Sequence, residues 1–224
     1  MKVRLACIDM AGTVVRDDGM VMDAFRSAIS YAGLSGAELE VAVYYAHETM
    51  GLPKFVVFKH IFGDEGRTAS ALACFGSLIA DDIKKGRAQA LPGATETLQE
   101  LSGGGVGICL TTGFSPGVQG LLIEHLGWEK LVDLSLAPGP DLRGRPYPDM
   151  IWKAAIETGV EDIRQVAVAG DTANDLRSGW SAGAQVVVGV LTGSHGREEL
   201  EQAPHSDIVA SIADLPRVLD QVAA

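Results

Sequence analysis

Cysteine is scarce in this chain of 224 residues, with Cys7, Cys74 and Cys109 the full set. An odd number without metal-type spacing excludes a disulfide framework and a thiolate zinc site. Two of the three fall inside strand-like apolar runs, so they are expected to be reduced, buried small side chains of a cytoplasmic protein. Positive charge is also short, with 18 Lys and Arg against 29 Asp and Glu and a net charge of -11. That balance excludes an electrostatic grip on nucleic acid or on an anionic membrane, so an anionic ligand must be held by local groups. Long apolar runs are missing as well. None approaches bilayer length, and the opening MKVRLACID meets Asp9 before a signal-peptide core can form.

What the chain does have is alternation. Short apolar runs, VRLACI, VGICL ending at Thr111, LVDLSL, QVAVAG ending before Asp171 and AQVVVGV, are bounded by Gly, Pro or acidic residues, as buried parallel strands are. The segments between them carry helix signals. GATETLQELSGGG ends in glycines, Ser115 and Pro116 open a helix, and TANDLRSGWSAG closes at Gly183. The expected fold is α/β, a doubly wound, Rossmann-like parallel sheet.

Between about residues 17 and 87 no strand pattern occurs, only helical ones. Ser35 with Glu38 reads as a capping box, Gly51 as a helix stop, Pro53 as a helix start and Gly63 as its end. The expected organisation is a core of residues 1–16 and 88–224 with a helical cap, 17–87, inserted after the first strand. Such an insert sits above the carboxyl ends of the sheet, where ligands bind in these folds, and acts as a lid.

Asp9 and Asp171 both fall at strand ends, which gather at one edge of an open sheet. With Asp175 one turn further on, they form a set of hard oxygen ligands suited to Mg²⁺. Thr111 and Thr112 end another strand, and Gly113 leaves backbone amides free to meet phosphate oxygens. Arg145, between Gly144 and Pro146, supplies the positive charge that the chain otherwise lacks.

Taken together and in order, DMAGT, TTGFS, RGRPYPDM and AGDTANDLRSGWSAG resemble the four motifs of the haloacid dehalogenase superfamily. AGT after the first aspartate, TTG, GRPYP and GDT with a later Asp are similar to the phosphonatase and phosphonatase-like hydrolases. The resemblance implies that Asp9 is the nucleophile that takes up a phosphoryl group. It further implies that Asp171 and the Ala11 carbonyl hold Mg²⁺, that Asp175 supports the metal, and that Thr111 and Arg145 bind phosphoryl oxygens. In TMGLPKFVVFKH, the residues Met50, Gly51, Leu52 and Lys54 resemble the phosphonatase cap motif that carries a Schiff-base lysine. Two positions depart from that family: Val57 stands where it has a histidine and Phe114 where it has a tyrosine. His47 and His60 lie nearby but at neither matching position, and are expected as ordinary helix-surface or packing residues.

Ala11 sets the chemical question. Phosphate-ester members of the superfamily carry a second aspartate there, which protonates the departing alkoxide. Without it, a carbon leaving group stabilised by an iminium on Lys54 becomes attractive, because lysine is the Schiff-base residue. A lysine in the first turn of a helix, among apolar neighbours, is disfavoured as an ammonium and so reaches the neutral amine. The expected function is therefore Mg²⁺-dependent cleavage of phosphonoacetaldehyde or a close small phosphonate. Two alternatives stay open: a phosphatase of a small monoester such as phosphoglycolate, and a non-catalytic sensor of a phosphorylated ligand. The apolar VAVYYA run would serve either as a homodimer surface or as the cap's own core.

Overall fold

The computed structural model describes residues 2–223. The chain opens with strand β1 (Leu5–Asp9), followed by helices α1 (Met20–Tyr31), α2 (Gly36–Glu48), α3 (Lys54–Phe62), α4 (Glu65–Lys84) and α5 (Ala94–Gly103). Next come β2 (Gly107–Thr111), α6 (Pro116–His125), β3 (Leu134–Leu136), α7 (Asp149–Glu157), β4 (Val166–Gly170) and α8 (Ala173–Ala182). The chain finishes with β5 (Val186–Val190), α9 (Arg197–Glu201), β6 (Asp207–Val209) and α10 (Leu215–Ala223). The six strands are parallel, in the order β3-β2-β1-β4-β5-β6.

Both faces of the sheet are covered, which is why the strands read as continuous apolar runs. Along β1 the side chains alternate between two cores. Ala6 and Ile8 join Leu98, Leu122 and Leu215 on one face, while Leu5 and Cys7 join Met150, Ile151 and Leu176 on the other. Cys7 and Cys109 are register partners on β1 and β2, both buried and free.

The four helices α1–α4 stand between β1 and β2. Their interior is an aromatic cluster: the Phe25 ring lies 5.2 Å from Phe58 and 4.9 Å from Phe75, and Phe75 reaches Phe114 of the core at 6.2 Å. The two chain crossings into this block pair with each other. Val15 bridges Ala90, the Arg16 amide donates to the Gln89 carbonyl, and the Leu91 amide donates to the Val14 carbonyl. In VAVYYA, Ala42 and Ala46 turn inward while Val41 and Tyr44 stay exposed. His60 stacks on Tyr45 at 4.2 Å, and His47 is exposed beside Glu48.

Local readings need four corrections. Ser35 occupies the cap position of α2, but its hydroxyl accepts no capping bond; Gly36 at φ 55° takes the first turn out of capping-box geometry. The α2 helix ends at Glu48, before Gly51, because the Thr49 hydroxyl donates to the Tyr45 carbonyl and closes the last turn. LVDLSL contributes only Leu134–Leu136 as strand, since the amides of Leu131 and Val132 are held in a turn by the Trp128 carbonyl. The short β6 was not foreseen: three residues carry too little periodicity to register. Among the described residues, no helix is long and apolar enough to cross a membrane.

Candidate active site

The carboxyl end of the sheet brings the motif residues together. Asp9 is the last residue of β1, in register with Thr111 at the end of β2, and Asp171 follows β4 directly. After Asp9 the chain turns tightly: the Met10 carbonyl accepts the amides of Thr13, Val14 and Val15, and Gly12 sits at φ 85°. A Cβ on Gly12 would lie 2.5 Å from the Asp171 Oδ2, so only glycine lets the β1 loop and Asp171 approach.

Asp9, Asp171 and Asp175 are all buried, and one oxygen of each lies within 4.8 Å of the others. Arg145 bridges two of them, with its Nη1 2.5 Å from the Asp9 Oδ1 and in contact with the Asp175 Oδ1. Asp175 is held by the Thr172 hydroxyl at 2.5 Å and the Thr172 amide at 3.1 Å, the capping box that starts α8. The Asp171 Oδ2 accepts the Ser194 amide at 2.6 Å. Thr13 Oγ1 lies between the Asp9 Oδ2 and the Asp171 Oδ1, at 3.3 and 3.4 Å.

The electrostatics are unbalanced. Three carboxylates against one guanidinium leave two negative charges uncompensated inside the protein, which is costly without a cation. Burial accordingly pushes the Asp9 carboxyl up to about 6, with Arg145 opposing, and pushes Asp171 well above the usual carboxylate range, helped by Asp9 and Asp175. Burial works against the Arg145 charge, but Asp175 and Asp9 outweigh it and hold the guanidinium above its ordinary value. An all-oxygen set with two spare negative charges fits a hard divalent cation.

Asp9 opens onto a cleft of about 330 Å³ including its mouth, lined also by Ala11, Lys54, Thr112, Gly113, Arg145, Asp171 and the linker residues Met50 and Gly51. Thr111 is buried beneath it and does not line it. Of the backbone amides expected to be free near Gly113, two are occupied: the Thr112 amide donates to the Leu136 carbonyl, and the Phe114 amide to the Thr112 hydroxyl. The first partner lies on β3 and the second within the β2 loop itself, so neither of these two amides is free for a ligand.

Lys54 begins α3 after Pro53, and its amide donates to the Gly113 carbonyl at 3.4 Å. Its Nζ lies 5.1 Å from the centre of the Phe25 ring and 5.6 Å from that of Phe114, and among the described residues it makes no salt bridge. Burial, reinforced by the Arg145 charge, lowers this amine from 10.5 to about 8 against the pull of Asp9, Asp17 and Asp171. The linker before it is fixed to α8, where Asn174 Nδ2 donates to the Met50 carbonyl at 2.9 Å. Val57 is buried and Phe114 supplies a ring face to Lys54, so neither departure leaves a polar group in place of the family's histidine and tyrosine.

Thr13, Thr172, Asn174 and Ser194 were not singled out from the sequence. Ser194 lies on the loop after β5, which meets the site only in the folded chain. Thr13, Thr172 and Asn174 lie inside the motifs DMAGT and AGDTAND, the one signal the sequence carries for them.

A family model described as a haloacid dehalogenase-like hydrolase matches residues 3–183. The chain belongs to that family and is a hydrolase of it. The phosphonoacetaldehyde hydrolase of Bacillus cereus (strain B4264) is 27% identical over 214 residues, covering 87% of this chain and 78% of the relative. Among solved structures, a hydrolase from Pseudomonas syringae superposes with a TM-score of 0.85 at 20% identity, covering 99% of this chain and 100% of the other. A phosphonoacetaldehyde hydrolase-like protein from Oleispira antarctica superposes with a TM-score of 0.81 at 20% identity, covering 99% and 93%. The two structures establish the shared fold.

Proposed function

We propose that the protein cleaves the carbon–phosphorus bond of a small phosphonate aldehyde, phosphonoacetaldehyde or a close carbonyl analogue, using an aspartyl-phosphate on Asp9 and an imine on Lys54. The observation that carries the reading is the Lys54 amine, buried and unpaired, opening onto the same cleft as Asp9 while Ala11 offers no acid. The Bacillus cereus relative, by its name, supports the same substrate class.

The neutral Lys54 amine adds to the aldehyde, and the adduct takes a proton from solvent and loses water, giving a protonated imine. An Asp9 oxygen then attacks phosphorus. As the carbon–phosphorus bond breaks, its electron pair moves into the protonated imine and leaves a neutral enamine on Lys54. Protonation at carbon and hydrolysis release the shortened aldehyde, and water then frees phosphate from Asp9. In this reading Arg145 meets the phosphoryl group, a role supported by its position in the cleft wall and its unpartnered Nε. Gly113 lines the same space. Mg²⁺, held by Asp9, Asp171 and the Ala11 carbonyl with Asp175 behind, would neutralise charge on the phosphoryl oxygens. Burial of the amine, with the Arg145 charge nearby, favours its neutral form.

Incubation with phosphonoacetaldehyde, Mg²⁺ and borohydride should leave a reduced adduct on the peptide that contains Lys54. Full turnover by Lys54→Ala would refute the proposal.

A further inference from the structure

We propose a second activity for this cleft: hydrolysis of small alkyl phosphate monoesters, with the Lys54 ammonium protonating the leaving oxygen in place of the missing acid on the β1 loop. The inference rests on Asp9 as nucleophile, which it shares with the proposed function, and not on the imine.

The need for an acid follows from chemistry. An alkoxide is expelled from phosphorus slowly unless it takes a proton as the bond breaks. The loop after β1 runs Met10-Ala11-Gly12-Thr13-Val14-Val15 and contains no acid. Among the described residues that line the cleft, Asp9 is spent as nucleophile, Asp171 is tied to the Ser194 amide, and Arg145 is locked on two carboxylates and keeps its protons at every working pH. That leaves Lys54.

Its placement suits the role. The backbone is pinned by the Gly113 carbonyl and by the start of α3, so the side chain reaches the cleft from the cap side while Asp9 rises from the sheet. The Nζ rests near two aromatic rings, which stabilise a cation without accepting its protons, so no internal acceptor competes with a leaving oxygen. The charged groups that act on it are Arg145, Asp9, Asp17 and Asp171, and among the described residues it makes no salt bridge. With the amine at about 8, the ammonium dominates at neutral pH and is still acidic enough to give up a proton, the condition for a general acid.

The step balances. An Asp9 oxygen bonds to phosphorus, the phosphorus–oxygen bond breaks with its electron pair going to the leaving oxygen, and that oxygen takes a proton from Lys54 Nζ. When water attacks the aspartyl-phosphate, its proton returns to the neutral amine. The sum is ester and water giving alcohol and phosphate.

The test is a leaving-group series, run with Mg²⁺ on wild type and on Lys54→Met: ethyl phosphate, 2-chloroethyl phosphate, phenyl phosphate and p-nitrophenyl phosphate. If Lys54 is the acid, the loss of kcat/KM grows with the basicity of the leaving group, and the ratio of ethyl to p-nitrophenyl turnover falls about 100-fold. Wild-type turnover of ethyl phosphate should also decline above about pH 8, as the ammonium of Lys54 is lost. Equal loss across the series would mean that Lys54 only binds or supports the site, and would overturn the proposal. So would a wild type that turns over p-nitrophenyl phosphate but no alkyl ester. Failure of borohydride trapping would leave this series untouched, so the two readings fail separately.

Discussion

Replacing Lys54 by methionine removes a charge that the fold holds in an unfavourable place, and the consequence can be worked out. In the unfolded chain the amine titrates near 10.5, and in the folded protein burial brings it to about 8. Between those values the unfolded chain binds a proton that the folded chain has lost, so wild-type stability rises with pH across that window and is depressed by a constant amount below it. The depression is about 3 kcal/mol at pH 7 and about 1.5 kcal/mol at pH 9.5. Methionine fills similar space without charge but gives up the contacts to Phe25 and Phe114, about 1 kcal/mol. The variant should therefore gain about 2 kcal/mol at pH 7, about 4–8 °C in midpoint, and little at pH 9.5. Urea denaturation of both proteins at the two pH values, in metal-free buffer, measures this. A gain of equal size at both, or a loss at pH 7, would refute the reasoning.

Arg145→Met should destabilise the metal-free protein by about 3–5 kcal/mol, because it leaves Asp9 and Asp175 buried and unpaired. Added Mg²⁺ should recover part of that, which paired thermal melts would show. Gly51→Ala should raise KM about 10-fold with a smaller change in kcat. Its φ of 85° and the crowding of the new Cβ against the Thr172 hydroxyl both oppose seating of the linker, a strain of about 1–3 kcal/mol. Unchanged KM would show that the linker does not shape the cleft.

The central strands were legible because β1, β2, β4 and β5 are buried on both faces and so appear as short unbroken apolar runs with sharp ends. Their ends also mark the site, since a parallel sheet carries residues such as Asp9, Thr111 and Asp171 to one edge whatever lies between them. The β3 strand is legible only within the longer run LVDLSL, and the three residues of β6 are too short to give such a signal. Contacts made by the folded chain alone were out of reach. The Ser194 amide reaches Asp171, and Asn174 reaches Met50 across 124 positions. Nothing in a serine amide or an asparagine side chain announces such a partner. Lys54 was readable as a helix-start lysine among apolar neighbours, but its seat near Phe25 depends on how α1 packs on α3.

All of the proposed chemistry requires phosphorus to pass through Asp9. Rapid quench of the enzyme with Mg²⁺ and phosphonoacetaldehyde, followed by borohydride reduction of the acyl-phosphate and peptide mass spectrometry, addresses that directly. The account predicts homoserine in place of Asp9; Asp9 recovered intact in a quench taken during steady turnover would contradict it.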